Sequence, residues 1–152
     1  MIEIVSFGRF KSDSLKTSFD YYLKLANKKI QTVPIMLKEA RNSRENEKIK
    51  SETALLKDSL ETSGRLSVIL DAAGELMDSL AFSQFINRGM SSGRHLRFHV
   101  GNYYGIPDSV KEKGYPVISL SMLTMSHELA LVVLAEQIYR SGTILFGGSY
   151  HR

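Results

Sequence analysis

Two hydrophobic rhythms alternate along this chain, and their alternation restricts it to one class of fold. Ile2-Glu3-Ile4-Val5-Ser6-Phe7 repeats with period two and stops at Gly8, the pattern of a strand. Asp13 or Ser14 can then cap a helix running to about Asn27, with Leu15, Phe19, Tyr22, Leu23 and Ala26 on one side. Residues 29–37 read as a second strand, and Pro34 inside it predicts an edge position. Residues 42–62 read as a long charged helix with Ile49, Leu55, Leu56 and Leu60 as its apolar face; Asn42 and Glu45 are spaced as a capping box. After Gly64 comes a buried-strand pattern, 66–71, closed by Ala72-Ala73-Gly74. A helix is expected from Asp78 or Ser79 to about Met90, a strand over 96–100 closed by Gly101, a short helix after Pro107, and a last strand over 117–120. Thr124 or Ser126 can cap a final apolar helix to Arg140, followed by a Gly-rich tail from Ser141 to Arg152.

Strand and helix taking turns in this way predict an α/β fold: one domain over residues 1–152, built on a mostly parallel sheet with helices on both faces. With 152 residues the chain can bury a proper core. The absence of cysteine excludes disulfide scaffolds, thiolate metal sites and cysteine nucleophiles. The histidines His95, His99, His127 and His151 fall into no ligand spacing such as HxxxH on a helix, so no metal is expected. The longest strongly apolar run, Leu129 to Ala135, is too short for a bilayer, and Glu3 precedes any basic residue, unlike a signal peptide; the expectation is a cytoplasmic protein without a membrane.

The formal charge is +4 and the pI about 9.3, compatible with a nucleic-acid partner. The distribution says more than the total. No acidic residue stands between Asp78 and Asp108, a stretch that holds Arg88, Arg94, Arg97, His95 and His99.

Ligands of parallel sheets collect beyond the C-terminal strand ends. Three such ends are polar or carry glycine: Asp71 to Gly74, Gly101 to Gly105, and Ser119 to Ser126. The loop Gly101-Asn102-Tyr103-Tyr104-Gly105 has neither the GxGxxG spacing nor the lysine of a phosphate loop. Ser119 to Ser126 alternates small, polar and apolar residues and could offer backbone donors and acceptors to a heterocycle between Leu and Met walls. Ser126-His127-Glu128 is no catalytic triad, because adjacent residues at a helix start do not face one another; a cap and a first-turn carboxylate fit better. Tyr150-His151-Arg152 could stack on a base and hold a phosphate.

These segments also occur in one order and at one spacing: Leu70-Asp71 after a strand, Val100-Gly101 with Gly105-Ile106, Ser119-Leu120-Ser121-x-x-Thr124-x-x-His127, Glu136-Gln137-x-Tyr139-Arg140, and Tyr150-His151-Arg152. The whole chain so resembles the small SPOUT-class methyltransferases that modify N3 of a pseudouridine in the 23S RNA of the large ribosomal subunit. The resemblance implies a C-terminal trefoil knot, a device that fold rules would not suggest. It implies S-adenosylmethionine as cofactor, contacted by Leu70, Gly101, Leu120, Ser121, Met122, Leu123, Thr124 and Met125. It implies a homodimer acting on the assembled ribosome, with Arg140, Tyr150 and His151 in catalysis and Arg152, His127, Arg88 and Arg94 on RNA. Arg97 joins the expected phosphate contacts.

Three positions depart from the family pattern. Asn102 stands where a second glycine is usual, Ser126 where proline is usual, and Leu131 where an arginine is usual. They motivate a second reading, a non-catalytic RNA- or ribosome-binding module on the same fold. A third reading is an unrelated α/β ligand-binding protein.

Overall fold

The hydrophobic runs read from the sequence assemble into one five-stranded sheet of order β2-β1-β4-β3-β5. The strands are β1 (Ile2–Phe7), β2 (Thr32–Leu37), β3 (Arg65–Leu76), β4 (His95–Val100) and β5 (Val117–Ser119). Every pairing is parallel: Ile2 lies opposite both Thr32 and Leu96, Arg65 opposite His95, and Ile69 opposite Val117. The computed structural model describes residues 1–41, 44–101, 104–148 and 150.

Period-two alternation sends side chains to the two faces of the sheet, and each face carries its own helices. Ile2, Ile4, Val68, Leu96, Phe98 and Ile118 are packed with Phe19 and Ala26 of α1 (Asp13–Ala26), Phe82 and Ile86 of α3 (Ser79–Ser91), and Leu131, Leu134, Ala135 and Ile138 of α5 (His127–Phe146). On the other face Phe7 and Ile69 meet Leu56 and Leu60 of α2 (Glu45–Leu60) and Val110 of α4 (Asp108–Lys111). β2 lies at the edge, and Pro34, paired with Ile4, costs no interior ladder bond there.

Several boundaries differ from the sequence reading, each for a local reason. Ser12, not Asp13 or Ser14, caps α1, its hydroxyl accepting from the Leu15 N–H. Asn42 lies outside the described residues; α2 is entered at Arg44, whose side chain makes no cap bond. Leu55 is 38% exposed, because the inward face of α2 runs through Glu52, Leu56, Ser59 and Leu60. β3 does not stop at Ala72. Both Leu70 and Glu75 pair with Ile118, so the chain makes an excursion between them and resumes beside β5. Gly74 allows this approach: a Cβ there would stand 2.6 Å from the Ile118 carbonyl carbon.

The tail expected from Ser141 begins six residues later, since α5 continues to Phe146. Ser141 and Thr143 fold their hydroxyls back onto the carbonyls of Gln137 and Arg140, at 2.7 and 2.8 Å. By length and composition alone α5 could cross a membrane. Here it is the central helix of one layer, packed between α1 and α3.

Candidate active site

Because all strands run the same way, the ends of β3, β4 and β5 open on one edge of the sheet, and α5 starts beside them. A cavity of about 290 Å³ lies there. Its described lining comes from all three flagged strand ends: Leu70, Asp71 and Ala72 after β3, Val100, Gly101, Gly105 and Ile106 after β4, and Ser119, Leu120, Ser121, Leu123, Thr124 and Met125 after β5. His127 and Ala130 of α5 close it.

Seven of the eight residues expected at a cofactor therefore share one cavity: Leu70, Gly101, Leu120, Ser121, Leu123, Thr124 and Met125. Met122 is not in the lining; its side chain is 83% exposed. The sequence reading singled out neither Val100 nor Ala130 as a contact. The strand-end rule could have found Val100, whereas Ala130 needs the pitch of α5 to reach the cavity.

The walls are apolar on two sides (Leu70, Ile106, Leu120, Leu123) and carry short polar groups elsewhere. Ser119 Oγ donates to the Ser121 carbonyl at 2.8 Å, and the Leu123 N–H donates to Ser121 Oγ at 2.9 Å, which fixes the loop after β5. The Ser126 hydroxyl caps α5 through the Leu129 N–H. Gly101 matters for space: a Cβ there would meet the Gly105 backbone at 3.0 Å. Asp71 supplies a carboxylate, paired with Lys111 Nζ at 3.2 Å. Lys111 is held above its ordinary range by its hydrogen bond with Asp108, against the opposing effect of burial, and by Asp71.

A second cluster forms on α5 well away from this cavity. Glu136 Oε1 accepts from Arg140 Nε at 3.0 Å and Nη2 at 2.7 Å, and Arg140 Nη1 donates to the Tyr150 carbonyl at 3.2 Å. The guanidinium carbon lies 4.7 Å from the Tyr150 ring centre, and the Tyr139 ring packs against the same ring, tilted by 46° with centres 4.6 Å apart. The Tyr150 hydroxyl is pushed up from its ordinary range by its hydrogen bond with Tyr22 and by burial, so it stays protonated and can donate but not serve as a base. Arg140 is thirteen residues along α5 from His127. At 1.5 Å per residue that is about 20 Å of helix axis. One chain does not bring Arg140 and Tyr150 to its own cavity. His151 and Arg152 lie outside the described residues.

The expected RNA contacts separate. His127 lines the cavity. Arg88, in the last turn of α3, and Arg94, just before β4, are exposed but stand at the opposite end of the sheet. Arg97 is no phosphate ligand. It is buried and bonded to Glu3, which also accepts from Arg65 at 3.1 Å, and its Nη1 donates to the Ser59 carbonyl at 3.0 Å. His99 is fully buried with Nε2 3.0 Å from Ser59 Oγ. The acid-free stretch is thus partly core: alternation along β4 turns Arg97 and His99 inward. No cluster of metal-binding side chains occurs among the described residues.

Residues 1–151 match the family described as "Predicted SPOUT methyltransferase". A protein of Malacoplasma penetrans named "Ribosomal RNA large subunit methyltransferase H" is 33% identical, the match covering 99% of both chains. A protein of the same name from Thermotoga neapolitana is 30% identical over 99% of this chain and 98% of its own length, and one from Caldicellulosiruptor bescii is 29% identical over the full length of both.

Proposed function

The chain belongs to the SPOUT methyltransferase family and is a ribosomal RNA methyltransferase, and from that premise we propose that it transfers a methyl group from S-adenosylmethionine to N3 of a pseudouridine in 23S RNA of the assembled ribosome. The observation that carries the reading is the convergence of the β3, β4 and β5 ends on one cavity with apolar walls and a polar loop held by its own hydrogen bonds. The cavity fits an adenosine-bearing ligand: Leu70, Ile106, Leu120 and Leu123 offer apolar faces to a base, while Asp71, Ser121 and Thr124 offer acceptors and donors to a ribose and an amino acid head. Gly101 is cradle-like, since a side chain there would push into the Gly105 turn.

When bound, the cofactor supplies an electrophilic methyl group on a sulfonium. The rest falls to the chain's own residues, and positioning dominates. N3 of the target base must lose its proton, and a cation near the developing anion lowers the cost. Arg140, held rigid by Glu136, is suited to that stabilisation. Tyr150 orients the guanidinium and can donate a hydrogen bond, and His151 or His127 takes the proton. Arg152 holds phosphate.

In this reading the enzyme is a homodimer in which one subunit's tail cluster completes the other's cavity. Its support is the distance along α5 between His127 and Arg140, together with exposed apolar side chains about the cavity end: Leu76, Leu80, Met122, Leu123 and Leu129. A trefoil knot formed by the segment after β5 belongs to the same proposal, as does work in the cytoplasm where ribosomes are modified.

The test is a calorimetric titration with S-adenosylmethionine, followed by transfer of a labelled methyl group to unmodified 70S ribosomes. Micromolar affinity, about −8 kcal/mol, and label at N3 of a pseudouridine are expected. Absence of binding with no transfer sinks the reading.

A further inference from the structure

We propose that the loops after β1 and β2 form a phosphate-binding ridge that carries ribosomal RNA to the cavity mouth; this rests on the reading above and names its RNA-binding surface. The ridge lies on the same sheet edge as the cavity. β1 neighbours β4, and β2 neighbours β1, so the two loops follow the β4 loop outward within two strand spacings, about 10 Å. They carry Arg9, Lys11, Lys38 and Arg41, all exposed. Among the described residues none of the four forms an ion pair, in contrast to Lys16, Lys48, Arg65, Lys111, Lys113 and Arg140. The one acid on the same loops is Glu39, which sits against Gly8.

Exposed cations alone would be an ordinary solvated surface. These loops, however, are pinned from beneath by two buried carboxylates. Glu128, 7% exposed and one residue after the cavity-lining His127, accepts from the backbone N–H of Lys11 at 2.7 Å and of Ser12 at 3.2 Å. Glu52, 2% exposed, accepts from the Ala40 N–H at 3.1 Å. Two acidic groups are thus spent inward on the backbone, while four cations face outward on fixed main chain and outnumber the exposed acids beside them, Glu39 and Asp13. That division suits a polyanion: phosphate contacts set register and orientation, and preorganised donors lose less on binding. Glu128 also ties ridge to cavity, because the carboxylate that fixes the Lys11 loop sits in the first turn of the helix that closes the site.

Two double variants, R9A/K11A and K38A/R41A, test the ridge against R88A/R94A at the far end. Association with unmodified 70S ribosomes is measured over a potassium chloride series, with S-adenosylmethionine affinity and wild-type methyl transfer measured alongside. Each ridge variant should bind ribosomes about tenfold more weakly at moderate salt, with a salt slope shallower by one to two, and keep wild-type cofactor affinity. Wild-type affinity and slope in both ridge variants, or a loss confined to R88A/R94A, overturns the ridge. A wild-type protein that neither binds the cofactor nor methylates ribosomes overturns the underlying reading instead, and the ridge with it.

Discussion

His99 shows how one side chain changes meaning between sequence and structure. In the sequence it is one of several basic residues in a stretch without acids. In the fold it is fully buried, and burial lowers its pKa from the usual 6.5 to about 4. The unfolded chain therefore takes up a proton on this ring at a pH where the folded chain does not. Its contribution is fully present above about pH 6.5 and declines as the pH falls from there towards 4. At pH 5 the loss is about 2 kcal/mol, which for a chain of this size lowers the melting temperature by about 4–8 °C. Melting curves at pH 7.5 and pH 5 for wild type and H99Q should show a large acid shift in the first and a much smaller one in the second. An equal shift in both would assign the acid sensitivity elsewhere, and not to Glu3, which acts in a more acidic window. Burial raises the Glu3 pKa, but hydrogen bonds from Arg97 and Arg65 outweigh this and hold it below the ordinary glutamate value, so its contribution is lost only below about pH 4.5.

At the scale of elements, the order of strands and helices was legible because each kept one hydrophobic period and ended at glycine, proline or a capping residue. What escaped was whatever depended on a neighbour. β3 runs on to Leu76 because β5 pairs with it twice, at Leu70 and at Glu75, and no local pattern announces a partner. α5 runs on to Phe146 because Gly142 lets the helix lie against Lys29 and Leu145 packs into the core. The cavity was legible as three strand ends, while Arg97 was misread because a basic residue on a strand looks the same whether it meets solvent or a buried glutamate. The start of α5 gives an element-level test. Ser126 satisfies the Leu129 N–H where its relatives are expected to carry proline. S126A should cost about 1 kcal/mol, or 2–4 °C in melting temperature. It should also speed hydrogen exchange at the Leu129 amide and weaken S-adenosylmethionine binding several-fold, because the frayed turn holds His127 and Ala130 against the cavity. S126D should restore all three. Unchanged exchange in S126A would show that packing alone sets this helix start.

For the whole molecule, the decisive quantity is the length of α5. The cavity touches its first turn, and the Arg140–Tyr150 cluster sits about 20 Å further along. A rigid helix between them fixes that separation, so chemistry that uses both requires two chains. A symmetric dimer would then hold two composite sites, each with its cavity from one subunit and its cluster from the other. Subunit mixing tests this directly. G101V places a side chain where even a Cβ meets Gly105 at 3.0 Å, which spoils the cavity; R140A removes the cation. Each homodimer should be inactive. Random mixing makes half the dimers mixed, and in each of these one of the two sites pairs an intact cavity with an intact cluster, so about a quarter of wild-type methyl transfer should return. If the two groups instead served the same chain, no mixed dimer would contain a complete site, and mixing would restore nothing.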